Sequence, residues 1–462
     1  MRTGVAAGHP ATAEAGAEIL ADGGSAADAA VAACLASCVA ETVMTGFLGG
    51  GHAIYRDADT DTIENLDCFV AVPGLGAPPR SAELVELEVP FGTELVHYAV
   101  GPASCGVPGV PAGLDALWSR FGRLPWRRLC EPALKLARTG VVMPQAHASC
   151  LEMLAPVMTM NEGAAIYAPS GRLLEGGGRL EQPGLVRTME LLADEGPRSA
   201  YEGTIAEGLL ALVQDRGGLV TRDDLARYEA RWSEPVAIPY VGNRVLTRPG
   251  LAPVAEPLCR LSPLRRLEPA ERALALVHAL AGEAGTDGHT TNLTVVDADG
   301  SACVLTTSLG LGSGDFVAGL DLHLNSMLGE TDLLRGELEP GSRMASMMAP
   351  SIVVDGSHAV VLAAGAAGGT RLRSALVQVV AGVLDERLGI ADAIARPRLH
   401  PAGRTVHLEP GLDPAVVPAL EAAGWEVRDW PAQHHYFGGV SAITPTGGAG
   451  DPRRSGEARV LP

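Results

Sequence analysis

The chain has 462 residues, 47% of them hydrophobic, a formal net charge of -19 and a pI near 5.1. The apolar share is enough for a large buried core, and so acidic a surface repels phosphate backbones and anionic lipid, which argues against nucleic-acid and membrane-surface roles. The eight cysteines form no C-x-x-C pair and sit among apolar residues, which predicts small buried thiols in a reducing compartment. The opening MRTGVAAGHP lacks the apolar run of a signal peptide, so a cytoplasmic location is expected.

Residues 10–42 read as two Ala-rich helices broken at Gly23-Gly24. Ala13, Ala17 and Leu20 repeat at the i, i+4, i+7 spacing of one helix face, and a glycine pair suits a helix C-terminus. The run from Ser25 to Ala40 carries Asp28 and is too short for a membrane span; it predicts a buried helix. Leu48-Gly-Gly-Gly-His52 followed by Ala53-Ile-Tyr55 reads as a glycine turn into a strand. Residues 106–113 (GVPGVPAG) form a turn before another helix, and 113–230 are mostly helical in pattern. Residues 248–288 are broken by proline and glycine around one helical run, Glu271 to Leu280.

After Gly288 the texture changes. Thr291 to Val296 and Ser301 to Ser308 are β-rich and joined by Asp297-Ala-Asp-Gly300. Further strands are predicted at 351–354 and 359–363, and helices at about 370–387 and 413–423. A helix-rich half and a strand-led half predict one α+β body. Trp425 and Trp430 flank a strand and are predicted to be core, and His434-His435 to serve packing or surface.

These residues carry a resemblance. GGSAADAAVAA (23–33), LGGG (48–51), GVPGVPAGLDAL (106–117), EPALKLARTG (131–140), YEGTIAE (201–207), GGLVTRDDLARY (217–228), TTNLTVVDADG (290–300), GAAGGTR (365–371), ARPRLH (395–400) and DPRR (451–454) occur in the order found in gamma-glutamyltranspeptidases. The whole chain resembles that family. The resemblance implies an α+β, four-layer αββα sandwich of the N-terminal-nucleophile hydrolase type. It also implies a precursor cut between His289 and Thr290 into a large segment, 1–289, and a small one, 290–462.

The family's nucleophile opens a T-T-x-x-[ST]-V-V-D run, here Thr290 to Asp297. A threonine hydroxyl is a weak nucleophile without a base. Cleavage before Thr290 frees an α-amine with an ordinary pKa near 8, able to take the hydroxyl proton at neutral pH. If the hairpin loop is the three residues Ala298 to Gly300, Ser308 stands opposite Thr290, where the family has a hydroxyl that polarises the nucleophile. A two-residue turn on Asp299-Gly300 would leave Ser308 only diagonal. Gly368-Gly369 match the glycine pair whose N–H groups hold the family's oxyanion. Arg371 and Arg373 follow it, open to a substrate anion or to a structural ion pair.

The substrate end departs from the pattern. Phe69 in Asp67-Cys-Phe-Val70 replaces the arginine that clamps the glutamyl α-carboxylate. In Leu324-Asn-Ser-Met-Leu-Gly329-Glu330, Asn325 matches, Gly329 takes the place of the acid that pairs with the α-amine, and Glu330 substitutes only after a one-residue shift. Ser346-Met347 stand for the family's paired serines, and Gly310 for an asparagine. Phe69, Asn325, Glu330, Ser346 and Met347 are therefore the expected substrate contacts. A missing arginine leaves a buried carboxylate uncompensated, so glutathione is expected to be a poor substrate. The short 330–346 connection lacks the length of a lid, which favours hydrolysis over transfer.

Three functions follow. The first is an acyl hydrolase or transferase on a γ-glutamyl-like amide. The second is the same scaffold recruited to specialised metabolism, as in relatives acting on glutaryl side chains, poly-γ-glutamate or C–C bonds. The third is a scaffold that never cuts itself. The expected partners are a small-molecule amide or acyl compound and the two fragments of the precursor, with a homodimer of the processed unit as a further option. The twelve histidines show no metal spacing, so no metal or organic cofactor is expected.

Overall fold

Two antiparallel sheets lie face to face. The computed structural model describes residues 1–78, 83–91, 94–251, 254–282 and 290–462. The first sheet has the order Glu457–Val460, Gly4–Ala7, Thr291–Val296, Ala302–Ser308, Gly50–Asp57, Thr62–Cys68, Arg231–Ser233. The second runs Gly447–Ala449, Gly439–Thr444, Val360–Ala367, Ser351–Val354, Asn243–Thr247, Val236–Tyr240.

The two-residue period of the strands sorts their side chains. Ala302 and Val304 point between the sheets and share a core with Ile54, Ile352, Ala363 and Ile443. Cys303 and Leu305 point the other way, into a core shared with helices Pro10–Ala21, Ala26–Ala40, Val110–Phe121, Trp126–Thr139, Pro183–Glu195 and Thr204–Arg216. Helices Pro269–Leu280 and Arg371–Leu384 cover the outer face of the second sheet. The layers are αββα, the architecture the resemblance implied.

Helix Ala26–Ala40 is buried along its whole length, because its alanines and cysteines let the backbone lie close to the sheet. Ser25 and Asp28 close its first turn as a capping box. The Asp297 carboxylate, at the hairpin turn, accepts a 3.0 Å bond from Ala26 N–H and ties the helix to the sheet.

Several elements differ from the sequence reading. Strands Gly4–Ala7 (GVAA) and Gly439–Thr444 consist largely of small residues without alternation, and both are buried because helices or sheets cover each face. The strand predicted at 359–363 extends to Ala367. The hairpin Val85–Phe91/Glu94–Val100 and the helix Ala255–Arg260 were not anticipated. Trp425 and Trp430 are half-buried at the rim, because their strand, Glu426–Asp429, is an edge strand of a small three-stranded sheet. Seven of the cysteines are buried thiols as expected, but Cys259 is exposed on its helix.

Candidate active site

The hairpin fixes the centre of the site. Thr291 pairs with Thr307 and Val296 with Ala302, so the loop is Ala298 to Gly300, and one further step sets Thr290 opposite Ser308. Of the two turns the sequence allowed, this is the three-residue one. Gly300 takes φ 88°, the left-handed conformation such a loop requires.

Thr290 and Ser308 open onto one cleft. Its other lining residues are Phe69, Met327, Glu330, Leu333, Ser346, Met347, Met348, Gly369 and Leu372. Thr290 is 5% exposed. Its carbonyl accepts a 3.2 Å bond from the buried Arg454 guanidinium. Ser308 Oγ accepts a 2.8 Å bond from Gly310 N–H.

The glycine pair sits between strand Val360–Ala367 and helix Arg371–Leu384, with φ 124° at Gly368 and 55° at Gly369. A Cβ on Gly368 would stand 2.9 Å from Gly438 Cα, so only glycine fits there. Gly369 lines the cleft and Gly368 stands against Gly438. The N-terminus of the helix stands at the same end, and its dipole favours negative charge there. Arg371 and Arg373 do not line the cleft. Arg371 donates to the Tyr436 carbonyl at 2.8 Å and stacks on its ring, and Arg373 donates to the Leu280 carbonyl.

Phe69 forms one wall and is held firmly. Its N–H donates to Asp67 at 2.9 Å, and its carbonyl accepts from Tyr228 Oη at 2.5 Å and from Arg343 at 2.9 Å. Its ring stacks on His52 at 5.5 Å. Burial, helped by Arg248 and Arg343, pushes the His52 pKa well down and keeps the ring neutral. Neither arginine is among the described lining residues of the cleft. Arg248 donates to the Ser346 and Met348 carbonyls, and Arg343 adds an ion pair with Asp67 at 3.4 Å. Burial lowers the Arg248 pKa to about 10. No lysine or arginine occurs among the described lining residues.

Glu330 is the acidic residue of the lining, and two glycines place it. A Cβ on Gly329 would overlap the Ala99 carbonyl oxygen at 1.6 Å, so no acid fits at that position. A Cβ on Gly310 would lie 2.4 Å from Glu330 Oε1, so its absence makes room for the carboxylate.

Asn325 corrects the sequence reading. It is fully buried and does not line the cleft. Its amide accepts from Gly106 N–H and donates to the Leu48 and Gly106 carbonyls, each at 2.9 Å, joining the two glycine-rich segments from behind. The connection after Glu330 runs along residues 70–72, with Val72 N to Ser342 O at 2.9 Å and Met344 N to Val70 O at 3.1 Å. It walls the cleft through Leu333. Met327, Leu333, Met348 and Leu372 were not anticipated; the run Met344-Ala-Ser-Met-Met348 was the available signal. His289 lies outside the described residues.

The profile of the family described as Gamma-glutamyltranspeptidase matches residues 12–255 and 263–461. The chain belongs to the gamma-glutamyltranspeptidase family. It is thereby an enzyme of the N-terminal-nucleophile hydrolase type. It is 28% identical to the Acylase ACY 1 proenzyme of Pseudomonas sp. (strain SE83), over 95% of this chain and 89% of that one. It is 27% identical to the Glutathione hydrolase proenzyme of Pseudomonas aeruginosa, over 99% of this chain and 94% of that one. A cephalosporin acylase from Bacillus halodurans has the same fold, with a TM-score of 0.83 at 23% identity over 100% of this chain and 96% of that one. Among the described residues no helix is long and apolar enough to cross a membrane.

Proposed function

We propose that this family member is a self-cleaving acylase that hydrolyses amides with a neutral, largely apolar acyl group through an ester on Thr290. The observation that carries this reading is the lining of one cleft. Thr290, Ser308 and Gly369 meet there with Phe69, Met327, Leu333, Met347, Met348 and Leu372, without a basic side chain among the described lining residues. An acyl group bearing a carboxylate would meet an acid, Glu330, and no arginine or lysine among the described lining residues, so its desolvation would go uncompensated.

The Thr290 hydroxyl attacks the His289 carbonyl, and water resolves the resulting ester into fragments 1–289 and 290–462. The freed α-amine then takes the hydroxyl proton as Oγ attacks the substrate amide. The N–H groups of Gly368 and Gly369 hold the oxyanion, the amine leaves, and water hydrolyses the ester. Ser308 polarises the nucleophile, and Ser346 is within the cleft to contact the acyl amide. The short connection after Glu330 supports hydrolysis over transfer. The acylase names among the relatives support acyl hydrolysis as the reaction.

The test compares intact masses of wild type and Thr290→Ala, then turnover of the cut enzyme. Wild type is expected to split into 1–289 and 290–462 while the variant stays whole. The cut enzyme is expected to release p-nitroaniline from hexanoyl and phenylacetyl p-nitroanilides with kcat/KM at least about a hundredfold above that for γ-glutamyl p-nitroanilide, as loss of a paired carboxylate implies. The reverse preference would overturn the substrate assignment, and a wild type that remains whole would overturn the nucleophile assignment.

A further inference from the structure

On the helix-facing side of the hairpin, directly behind the candidate nucleophile, lies a buried contact between an acid and a threonine. Helix Ala26–Ala40 ends at Glu41, which is 1% exposed. One carboxylate oxygen accepts from Thr291 Oγ1 at 2.5 Å and the other from Thr12 Oγ1 at 2.6 Å. Four residues on, Thr45 Oγ1 shares a 2.8 Å hydrogen bond with Thr307 Oγ1. The Glu41 carbonyl accepts from Met44 N–H at 2.7 Å and from Thr45 N–H at 3.0 Å, so both side chains belong to one rigid turn.

Thr291 and Thr307 are the opposed pair next to Thr290 and Ser308. Because successive side chains alternate across a strand, holding this pair on the helix side fixes where the next pair points on the cleft side. Space is reserved for the contact: a Cβ on Gly8 would stand 2.6 Å from Glu41 Oε2 and 2.9 Å from Thr291 Oγ1. Burial raises the Glu41 pKa, which its two hydroxyl donors and the Arg454 charge oppose. Arg454 in turn holds the Thr290 carbonyl, so the backbone around the nucleophile is gripped at the carbonyl of one residue and the hydroxyl of the next.

We infer that Glu41 is a positioning residue that aims the Thr290 hydroxyl through Thr291, while Thr45 does the same for Ser308 through Thr307. Glu41 does not line the cleft, so it acts on the rate of the Thr290 step and not on substrate affinity. The inference rests on the assignment of Thr290 as nucleophile.

The test follows self-cleavage by intact mass in wild type, Thr291→Val, Thr291→Ser and Glu41→Gln, each checked for fold by circular dichroism and thermal melting. Valine keeps the shape of threonine without the hydroxyl, and serine keeps the hydroxyl. Thr291→Val and Glu41→Gln are expected to cut themselves about tenfold more slowly or worse, and Thr291→Ser within about threefold of wild type. On the cut enzyme, kcat should fall with KM unchanged. Folded Thr291→Val cleaving at the wild-type rate would overturn the inference, as would a serine variant as slow as the valine one, or a loss confined to KM. A wild type that never cuts itself would instead overturn the nucleophile assignment, and this inference with it.

Discussion

Gly329 and Ala99 touch so closely that a Cβ on the glycine would sit 1.6 Å from the alanine's carbonyl oxygen. The contact comes from strand Glu94–Val100, whose hairpin lies against the cleft wall. Restoring an acid at residue 329 therefore collides with backbone, which cannot yield as a flexible side chain can. Gly329→Asp is expected to destabilise the protein by about 3 kcal/mol, at the upper end of overpacking costs, and to confer no γ-glutamyl activity. Thermal melting of variant and wild type checks the first part. An unchanged melting temperature would mean that the hairpin moves aside freely.

Phe69 separates the two tasks of the site. Its ring is 1% exposed, stacked on His52 and part of the cleft wall, while its backbone is tied to Asp67, Tyr228 and Arg343. Phe69→Leu keeps the site apolar and is expected to cost on the order of 1 kcal/mol. Self-cleavage needs no acyl pocket, so it should continue at the wild-type rate. Turnover of phenylacetyl p-nitroanilide should fall up to about tenfold through the lost stacking surface, on the scale of about 1 kcal/mol for an aromatic pair. Loss of self-cleavage in a folded Phe69→Leu protein would place the ring in the machinery of Thr290 instead of the substrate wall.

The site was legible where chemistry dictates residue type at short range. The run Thr290 to Asp297, the turn and Ser308 form one hairpin, so sequence spacing narrowed their register to two choices, and the strand pairing selects the three-residue loop. The glycine pair was legible through the resemblance, and its positive φ values give the physical reason for glycine there. What was hidden depends on contacts distant in sequence. Glu41 meets Thr291 across 250 residues, and at the end of an Ala-rich helix it resembled any polar cap. Asn325 sits in the segment that supplies substrate contacts, and only the folded structure shows its amide turned to the backbone of Leu48 and Gly106. The small-residue strands escaped because strands covered on both faces lose the alternation that marks a half-exposed one.

Buried histidines, His9, His147 and His323 among them, make stability depend on pH. Burial lowers the pKa of His9 to about 4 and those of His147 and His323 to about 3. His9 and His147 stand 5.5 Å apart, and Arg454 further disfavours charge on His147. His323 is stacked on Phe316 and accepts from Gly314 N–H. In the unfolded chain each ring takes a proton near pH 6.5, whereas the folded protein keeps all three neutral. Above pH 6.5 neither state binds the protons and stability is unaffected. Below it the unfolded state binds more, so stability falls as pH drops from 6.5 towards 4, by on the order of 3 kcal/mol per histidine. Urea midpoints are therefore expected to be level above pH 7 and to fall steeply between pH 6.5 and 4.5. His147→Gln, which cannot take a proton, should make that fall shallower even though it lowers stability at pH 7. A midpoint that stays constant from pH 7 to 5 would show that these rings are charged in the folded protein, and the burial argument for them would be wrong.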